Sequence, residues 1–536
     1  MTARTRTDTL LLAGFCAFLF FYGLGQFGLL GADEPRYAQV AREMLERHDW
    51  VTPTLDGRPW LEKPPLYYWQ AMLAYKVAGV SDVAARIPSA IDATLLVIVV
   101  YLFFRKFRRG VEIDAALITA SCAGVIGFAR AASTDMPLAA FFGIAMLAWW
   151  AWRTTASNTL IAVFYLCMAL GTLAKGPLAP FLTALVIVVW AAATKEWRAL
   201  IKTLWLPGIL LFCAVTLPWY VAVQLRNPQF FREFILQHNL ARFSTNLYHH
   251  PEPFWYYVPV TALALVPWIV FIIAAMAESI RVWWAERKSA QDNELQFRIF
   301  ACCWLIVPVI FFSLSRSKLP GYILPVVPAG AVLLADYLLR RFEVDVPVPK
   351  WMAIAHALVA AAPVVPAVLI GFAVNEHRLP FERPMLFAVA LAVILCIAIA
   401  LTLLGRMQWR MLRFVTLIPV VLAVAAVLKL GTTAIDERLS ARPLAAELAS
   451  VETHPLPLAV CGTSRELEYG LAFYRNQTVA RYESGNVPSG EHLVVAPPKW
   501  KDDVVKYAAG RRVSFLGHYA PQNLDYYWVG SVSRTH

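Results

Sequence analysis

Long apolar stretches constrain this chain more than any other feature. About thirteen segments between residues 9 and 430 are apolar over roughly the 20 residues that a membrane-spanning helix needs. Hydrophobic residues make up 59% of the chain and charged residues 16%, whereas soluble domains contain about 45–50% and 25%. A water-soluble fold cannot bury that much apolar surface. The sequence therefore predicts a polytopic α-helical membrane protein and argues against secreted disulfide-rich and nucleic-acid-binding classes.

Lysine and arginine are distributed unevenly among the loops, and this predicts the orientation. With the N-terminus in the cytoplasm, about twenty basic residues lie in cytoplasmic segments and about six in short outer loops. The net charge of +12 is thus an orientation signal. The first apolar segment is longer than the core of a signal peptide, so we interpret it as an uncleaved anchor. With about thirteen spans the C-terminus lies in the periplasm.

Two domains are predicted. Residues 1–431 hold the spans, with long outer loops at 32–86 and 226–253. Residues 432–536 are polar and alternate short β-type runs with helical patterns, which predicts a small α/β domain. The predicted strands are 456–461, 478–482, 492–496, 513–518 and 526–532, and the predicted helices are 444–451, 465–474 and 502–509.

The first outer loop begins with the segment Asp33-Glu34-Pro35-Arg36-Tyr37. From Pro35 to about His48 apolar residues recur with a helical period, which predicts an amphipathic helix on the membrane surface. An acid before a proline at the first helical position is typical of a helix cap. Asp33 therefore either only caps this helix or also presents its carboxylate at the mouth of the bundle.

Further charges lie on the same outer side. Lys63 is followed by two prolines, and it is either a phosphate ligand at the headgroup level or a snorkelling lysine. Asp135 places a second carboxylate in the next outer turn. Several basic residues contradict the orientation bias, and an anionic substrate would explain them. They are Lys175, Arg316 and Lys318, and the loop at 226–253 adds Arg242 with the adjacent His249 and His250.

These motifs resemble those of a known family. The Asp33-Glu34 pair after the first span and Asp135 in the next outer loop resemble the acidic positions of GT-C glycosyltransferases. The segments around Glu62-Lys63-Pro64-Pro65, Ala174-Lys175-Gly176-Pro177 and 315–325 are similar to the lipid A aminoarabinose transferases, which are related to the dolichyl-phosphate-mannose protein mannosyltransferases. The resemblance implies a pentosyltransferase of the bacterial inner membrane that moves 4-amino-4-deoxy-L-arabinose from undecaprenyl phosphate to lipid A phosphates. Resistance to polymyxin would follow.

The resemblance also implies roles for particular residues. The expected catalytic acids are Asp33, Glu34 and Asp135. The residues expected to bind substrate are Lys63, Arg36, Lys175, Arg242, Arg316, Lys318 and Tyr322. No cofactor is expected to be required, and if a divalent cation is bound, the candidate ligands are Glu62, His249 and His250. The expected partners are the lipid-linked donor, lipid A and membrane lipid, with no nucleic acid, and we expect a monomer.

Other functions remain open from the sequence. A protein O-mannosyltransferase would share the fold but use a serine or threonine acceptor. A transporter or flippase for a lipid-linked sugar should carry charges near the middle of the bilayer, whereas the charges here lie at the outer rim. A sensor with an outer receptor domain would explain the polar tail but not the loop motifs.

Overall fold

Long apolar helices form most of the molecule. The computed structural model describes residues 3–234, 252–287, 292–344, 346–374 and 383–531. Within these ranges nine helices are long and apolar enough to cross a membrane, or eleven if each of two bent pairs is one span. The predicted polytopic helical fold is confirmed, while the count of about thirteen spans stays a prediction. The nine are Asp82–Phe107, Asp135–Thr155, Asn158–Lys175, Leu206–Arg226, Asn293–Leu314, Pro320–Val344, Lys350–Ala373, Pro384–Leu404 and Gln408–Leu439.

The remaining helices of the bundle are shorter or bent. The bent pairs are Glu112–Ser121 with Ala123–Ala129, and Phe254–Ala264 with Ile269–Glu286. Ala3–Cys16 continues into a single π-turn at Ala17–Phe21, and Leu178–Thr194 and Trp197–Thr203 precede the helix that begins at Leu206. Every apolar stretch that the sequence analysis singled out corresponds to one of these helices, because a backbone in lipid must satisfy its own hydrogen bonds.

The helices of the bundle are apolar on the faces that point inward and also on the faces that point outward, unlike the helices of a soluble protein. Large aromatic side chains fill the interior, where the ring centroids of Trp149 and Trp190 are 5.2 Å apart and those of Trp149 and Phe300 are 5.3 Å apart. The outer surface is also apolar, and Leu210 and Leu217 of one helix are 60% and 51% exposed. An apolar surface of this kind requires lipid as its solvent.

One end of the bundle, here called the loop end, carries the first long loop. The loop forms a helix at Asp33–Glu46, which we call the surface helix, then the two-residue antiparallel strands β1 (Thr54–Leu55) and β2 (Arg58–Pro59), then a helix at Leu66–Ala78. Tyr37 and Met44 of the surface helix are buried in one apolar cluster. The predicted amphipathic helix is therefore present.

The start of the surface helix corrects one interpretation. Its N-cap residue is Ala32, which makes no side-chain capping bond, and Asp33 is already helical. The interpretation of Asp33 as a cap is therefore wrong. An acid in the first turn still interacts favourably with the helix dipole, but its side chain is available for another partner.

The C-terminal domain contains a mixed five-stranded sheet. Its strands are β3 (Leu458–Val460), β4 (Val479–Arg481), β5 (His492–Ala496), β6 (Val513–Tyr519) and β7 (Leu524–Val529), in the spatial order β4-β3-β5-β7-β6. β3 is parallel to both neighbours, whereas β7 is antiparallel to β5 and β6. The helices of the domain are Arg442–Val451, Arg465–Arg475 and Lys501–Tyr507, and the end of the last long helix, Thr432–Leu439, leads into them. The predicted α/β domain is confirmed.

Candidate active site

The first turn of the surface helix brings two predicted residues together. Arg36 Nη2 donates to Asp33 Oδ1 at 2.5 Å, because side chains three residues apart share one face of a helix. The Asp33 side chain is 56% exposed, so it remains accessible to a substrate. The guanidinium carbon of Arg36 lies 5.2 Å from the ring of Tyr37 and 5.0 Å from that of Trp60. At this corner of the loop end, the Arg36 guanidinium therefore packs against two aromatic rings, and the accessible Asp33 carboxylate lies beside it.

A second acid lies at the start of the helix Asp135–Thr155. Asp135 pairs with Lys175, the last residue of the following helix, Asn158–Lys175, and its Oδ2 accepts from Ser133 Oγ at 3.0 Å. Lys175 Nζ in turn lies 4.7 Å from the ring of Tyr322. The structure therefore brings together three residues that the sequence analysis selected separately from three loops.

The backbone leaves little room around the Asp135 carboxylate. A Cβ atom added to Gly321 would lie 2.8 Å from the carboxyl carbon and from Oδ1 of Asp135, a distance that real Cβ atoms do not tolerate. Any side chain at position 321 would displace the Asp135 carboxylate, because the backbone after Lys318 passes directly over it. Tyr257 fixes this part of the loop, since its hydroxyl donates to the Leu319 carbonyl and accepts from the Leu319 amide, both at 3.1 Å.

Tyr37 connects the two acidic corners. Burial raises the pKa of its phenol well above the ordinary value, and the negative charges of Asp33 and Asp135 raise the pKa further. Both carboxylates therefore act on the same buried hydroxyl from different loops. The two acids thus border one region at the loop end, as the sequence analysis expected from their shared side of the membrane.

Glu34 has a different environment from Asp33. Its Oε1 accepts from Arg86 Nε at 3.1 Å and from the Ala132 amide at 2.7 Å. Its Oε2 accepts from Arg86 Nη2 and from the Leu30 amide, both at 2.7 Å. These bonds use the four acceptor sites of a carboxylate, so Glu34 holds neighbouring segments together. The catalytic roles predicted for Glu34, Asp33 and Asp135 stay predictions.

Arg86 is the residue that the sequence analysis missed. The sequence placed it at the end of the first outer loop, whereas the helix begins at Asp82 and Arg86 is 1% exposed. It also donates to the carbonyls of Leu24, Phe27 and Gly28 at 2.7–2.9 Å. The Glu34–Arg86 pair therefore holds the segments that precede both Asp33 and Asp135. An arginine in the first turns of an apolar helix was the available signal, because such a charge needs a partner.

The lysine of the first loop is present at the same end. Lys63 is buried, and its ammonium donates to the Glu62 carbonyl at 3.4 Å. Glu62 is half-buried, and its charge acts on Arg36. The segment Glu62-Lys63 thus lies beside the Asp33–Arg36 corner, with a cation and an anion next to each other.

Two predicted cations have other surroundings. Lys318 is buried and donates to the carbonyls of Ser315 and Glu252 at 2.6 and 3.0 Å, so it joins its own loop to the segment at Glu252. Arg316 is exposed. Their predicted roles in substrate binding stay predictions.

The proposed ligands of a divalent cation cannot be placed together. Arg242, His249 and His250 lie outside the residues that the structure describes. Among the described residues no group of three histidine, cysteine, aspartate or glutamate side chains has the arrangement of a metal site. The assignment of Glu62, His249 and His250 as cation ligands stays a prediction.

The fold is that of a multi-span membrane protein with acids and cations gathered at one end, and it matches solved structures. The chain is similar over 98% of its length, and over 98% of theirs, to ArnT from Cupriavidus metallidurans bound to undecaprenyl phosphate, with a TM-score of 0.75 and 23% identity, and in the apo state, with a TM-score of 0.71 and 22% identity. This similarity shows the fold.

Sequence relatives identify the family that the chain resembles. Residues 8–232 match the family model of dolichyl-phosphate-mannose-protein mannosyltransferase. The chain is 32% identical over 350 residues to the undecaprenyl phosphate-alpha-4-amino-4-deoxy-L-arabinose arabinosyl transferase of Pseudomonas aeruginosa, which is 64% of this chain and 61% of that protein. For the Photorhabdus laumondii protein of the same name the identity is 31%, over 57% of this chain and 54% of that protein. The match thus spans about three fifths or less of these relatives' length. The predicted resemblance to this family is confirmed.

Proposed function

We propose that the protein transfers 4-amino-4-deoxy-L-arabinose from undecaprenyl phosphate to a phosphate group of lipid A. The observation that carries the proposal is the presence of two acid–cation pairs, Asp33 with Arg36 and Asp135 with Lys175, on segments that the hydrogen bond from the Ala132 amide to Glu34 joins at the loop end. The names of the relatives support this sugar, and the similar ArnT structure with bound undecaprenyl phosphate supports this carrier.

The cations and the carboxylates of the site can stabilise opposite charges at the two ends of the breaking bond. The bond between the anomeric carbon and the carrier phosphate breaks, and a bond from the anomeric carbon to an acceptor phosphate oxygen forms. The leaving phosphate gains negative charge, which fixed cations stabilise without reorganisation; Lys63 and Lys175 are our candidates. The anomeric carbon gains positive charge, and the Asp33 carboxylate is the accessible anion.

The nature of the acceptor determines what Asp33 has to do. A lipid A phosphate is ionised at neutral pH and needs no general base, so no proton is transferred in this step. Asp33 would then orient the acceptor, bind the amino group of the sugar or stabilise the developing positive charge. We propose direct displacement with inversion at the anomeric carbon, since the part of the site that the structure describes shows no additional nucleophile paired with a base.

A hydroxyl acceptor is the second candidate. The match of residues 8–232 to the protein mannosyltransferase model favours it. A serine or threonine hydroxyl must lose its proton during transfer, so Asp33 or Asp135 would have to act as a base. Transfer to a hydroxyl would therefore require a general base, whereas transfer to a phosphate would not.

Location and cofactor requirement belong to the same proposal. The protein is a multi-pass membrane protein, and we propose that it lies in the bacterial inner membrane with the loop end and the C-terminal domain in the periplasm. The distribution of lysine and arginine supports this orientation. We also propose that transfer needs no dissociable cofactor, because fixed lysines and arginines can neutralise the leaving phosphate. Transfer that survives a metal chelator would support this, and loss of transfer would favour Glu62 as a cation ligand.

The test uses a polymyxin-sensitive strain that makes the undecaprenyl-linked aminosugar but lacks its own transferase. We expect that expression of the chain adds an aminopentose to lipid A, measured by mass spectrometry, and raises polymyxin resistance. The added positive charge lowers surface attraction for cationic peptides, by about 1 kcal/mol for each basic residue near the surface. The Asp33→Asn variant is the matched control. Unmodified lipid A in cells that contain the folded wild-type protein would contradict the proposal.

A further inference from the structure

The C-terminal domain packs directly on the surface helix. Its helix Arg465–Arg475, which we call the docking helix, places Phe473 in the apolar cluster that also contains Tyr37. The carbonyl of Phe473 accepts a hydrogen bond from Arg42 Nη1 at 2.8 Å. The same helix that carries Asp33 is therefore covered by the C-terminal domain.

A second set of contacts fixes the segment before Asp33. The Tyr474 hydroxyl donates to Asp82 Oδ1 and accepts from the Leu29 amide, both at 2.6 Å. Arg442 donates to Asp82 Oδ2 at 2.8 Å and to the Gly25 carbonyl at 3.0 Å. These bonds bridge the C-terminal domain, the connection that leads to Asp33 and the helix that begins at Asp82. The domain therefore cannot move away without releasing this connection.

The docking helix also reaches the candidate active site. Tyr469 lies one turn before Phe473, on the same face of the helix, and its ring centroid is 5.7 Å from the guanidinium carbon of Arg36. Together with Tyr37 and Trp60 it encloses Arg36 with three aromatic rings. Two rings come from the first loop and one comes from the C-terminal domain.

We propose that Tyr469 is a positioning residue that holds Arg36 against Asp33, so that the C-terminal domain completes the active site. The inference rests on the proposed transfer reaction and adds a residue to it. Arg36 Nε is buried without a hydrogen-bond partner among the described residues, so the rings, and not a complete set of hydrogen bonds, fix the guanidinium. An aromatic face attracts a guanidinium that is shielded from water. Loss of the third ring opens one side of Arg36 and lets it leave Asp33.

The test compares three substitutions in the purified full-length protein. Tyr469→Phe keeps the ring and should transfer the aminosugar to lipid A within about twofold of the wild-type rate. Tyr469→Leu keeps an apolar side chain but removes the ring, and its turnover should fall about three- to tenfold. Tyr507→Leu is the matched control, because Tyr507 packs on Tyr482 in a different apolar cluster of the same domain, and its turnover should stay unchanged. A fully active Tyr469→Leu variant, or a Tyr469→Phe variant as impaired as Tyr469→Leu, would overturn the inference.

A thermal double-mutant cycle shows whether Tyr469 acts through Arg36. Tyr469→Leu should lower the Tm of the otherwise wild-type protein, and should lower it by less than half as much in an Arg36→Leu background, because residues in contact are not additive. Equal shifts in both backgrounds would overturn the inference. The cycle measures stability and does not depend on turnover. A wild-type protein that transfers no aminosugar would contradict the proposed function. The cycle would still show whether Tyr469 acts through Arg36.

Discussion

Replacing Arg86 by methionine should destabilise the loop end strongly, because Arg86 pairs with Glu34 and donates to three backbone carbonyls in a buried setting. Removal of one partner from a buried ion pair costs about 3–5 kcal/mol, and each carbonyl left without a donor costs about 1–3 kcal/mol if the loop does not relax. Since part of the loop can move towards water, we expect Arg86→Met to lower the free energy of unfolding by about 5 kcal/mol.

This free energy corresponds to a measurable shift in Tm. An unfolding entropy of about 2.1 cal/mol/K per residue amounts to about 1.1 kcal/mol/K over 536 residues. The Tm of Arg86→Met should therefore fall by about 5 °C in detergent, as followed by intrinsic fluorescence. Arg58→Met is the matched control, because Arg58 is exposed and such substitutions change stability by about 0.5 kcal/mol or less.

A double substitution tests the reasoning behind this value. Adding Glu34→Gln to Arg86→Met removes the uncompensated buried charge, so the double variant should lose less than the sum of the two single losses. The account would be refuted by an Arg86→Met protein that melts within about 1 °C of the wild type. Strictly additive losses in the double variant would refute it equally, because they would show that Glu34 and Arg86 do not depend on each other.

Three further substitutions test the site. Lys63→Ala should abolish transfer in a protein that still folds and inserts, because the cation next to the leaving phosphate is removed; wild-type turnover would reduce Lys63 to a structural lysine. Asp33→Asn should keep the Tm, since the side chain is 56% exposed, and should lose transfer measured on lipid A; a fully active variant would make Asp135 the leading acid. Gly321→Ala should lower turnover at least tenfold because its Cβ displaces the Asp135 carboxylate, an expectation that unchanged turnover would contradict.

Each of these substitutions has a control of the same chemical type. Lys76→Ala changes an exposed lysine at the end of a loop-end helix, and Asp502→Asn changes an exposed acid in the first turn of a helix of the C-terminal domain. Gly127→Ala adds a methyl group to a helical glycine with open space around it. All three control proteins should transfer the aminosugar at the wild-type rate.

Short sequence patterns predicted the helices and strands of the C-terminal domain well, because each pattern depends on residues that are close together in the chain. A short β-type run predicted β5 at residues 492–496, the same range as in the structure, and the helical period predicted the docking helix within a residue at its C-terminal end. The docking helix buries one face in an apolar cluster that also contains Leu493 and Val495 of β5, so its helical period reports its structure directly. β5 is buried on both faces, which is why it is a continuous apolar run in the sequence.

The partners of the acids could not be predicted in the same way. Glu34 and Arg86 are 52 residues apart in the chain, and Glu34 and Ala132 are 98 residues apart. The contact of Arg36 with Tyr469 joins the first loop to the last domain. Spacing in the sequence carries no information about such contacts, because they depend on how separate helices pack. For the same reason the exposed side chain of Asp33 and the saturated one of Glu34 looked alike from the sequence.

The most direct test of the account is transfer by the purified full-length protein, given undecaprenyl-phosphate-linked 4-amino-4-deoxy-L-arabinose together with lipid A and a serine- and threonine-containing peptide. Mass spectrometry of all three follows where the sugar goes. The account predicts lipid A that carries an added aminopentose, undecaprenyl phosphate released in equal amount, an unmodified peptide, and none of these changes with Asp33→Asn. A sugar attached to the peptide, or a donor that is consumed equally well by Asp33→Asn, would contradict it.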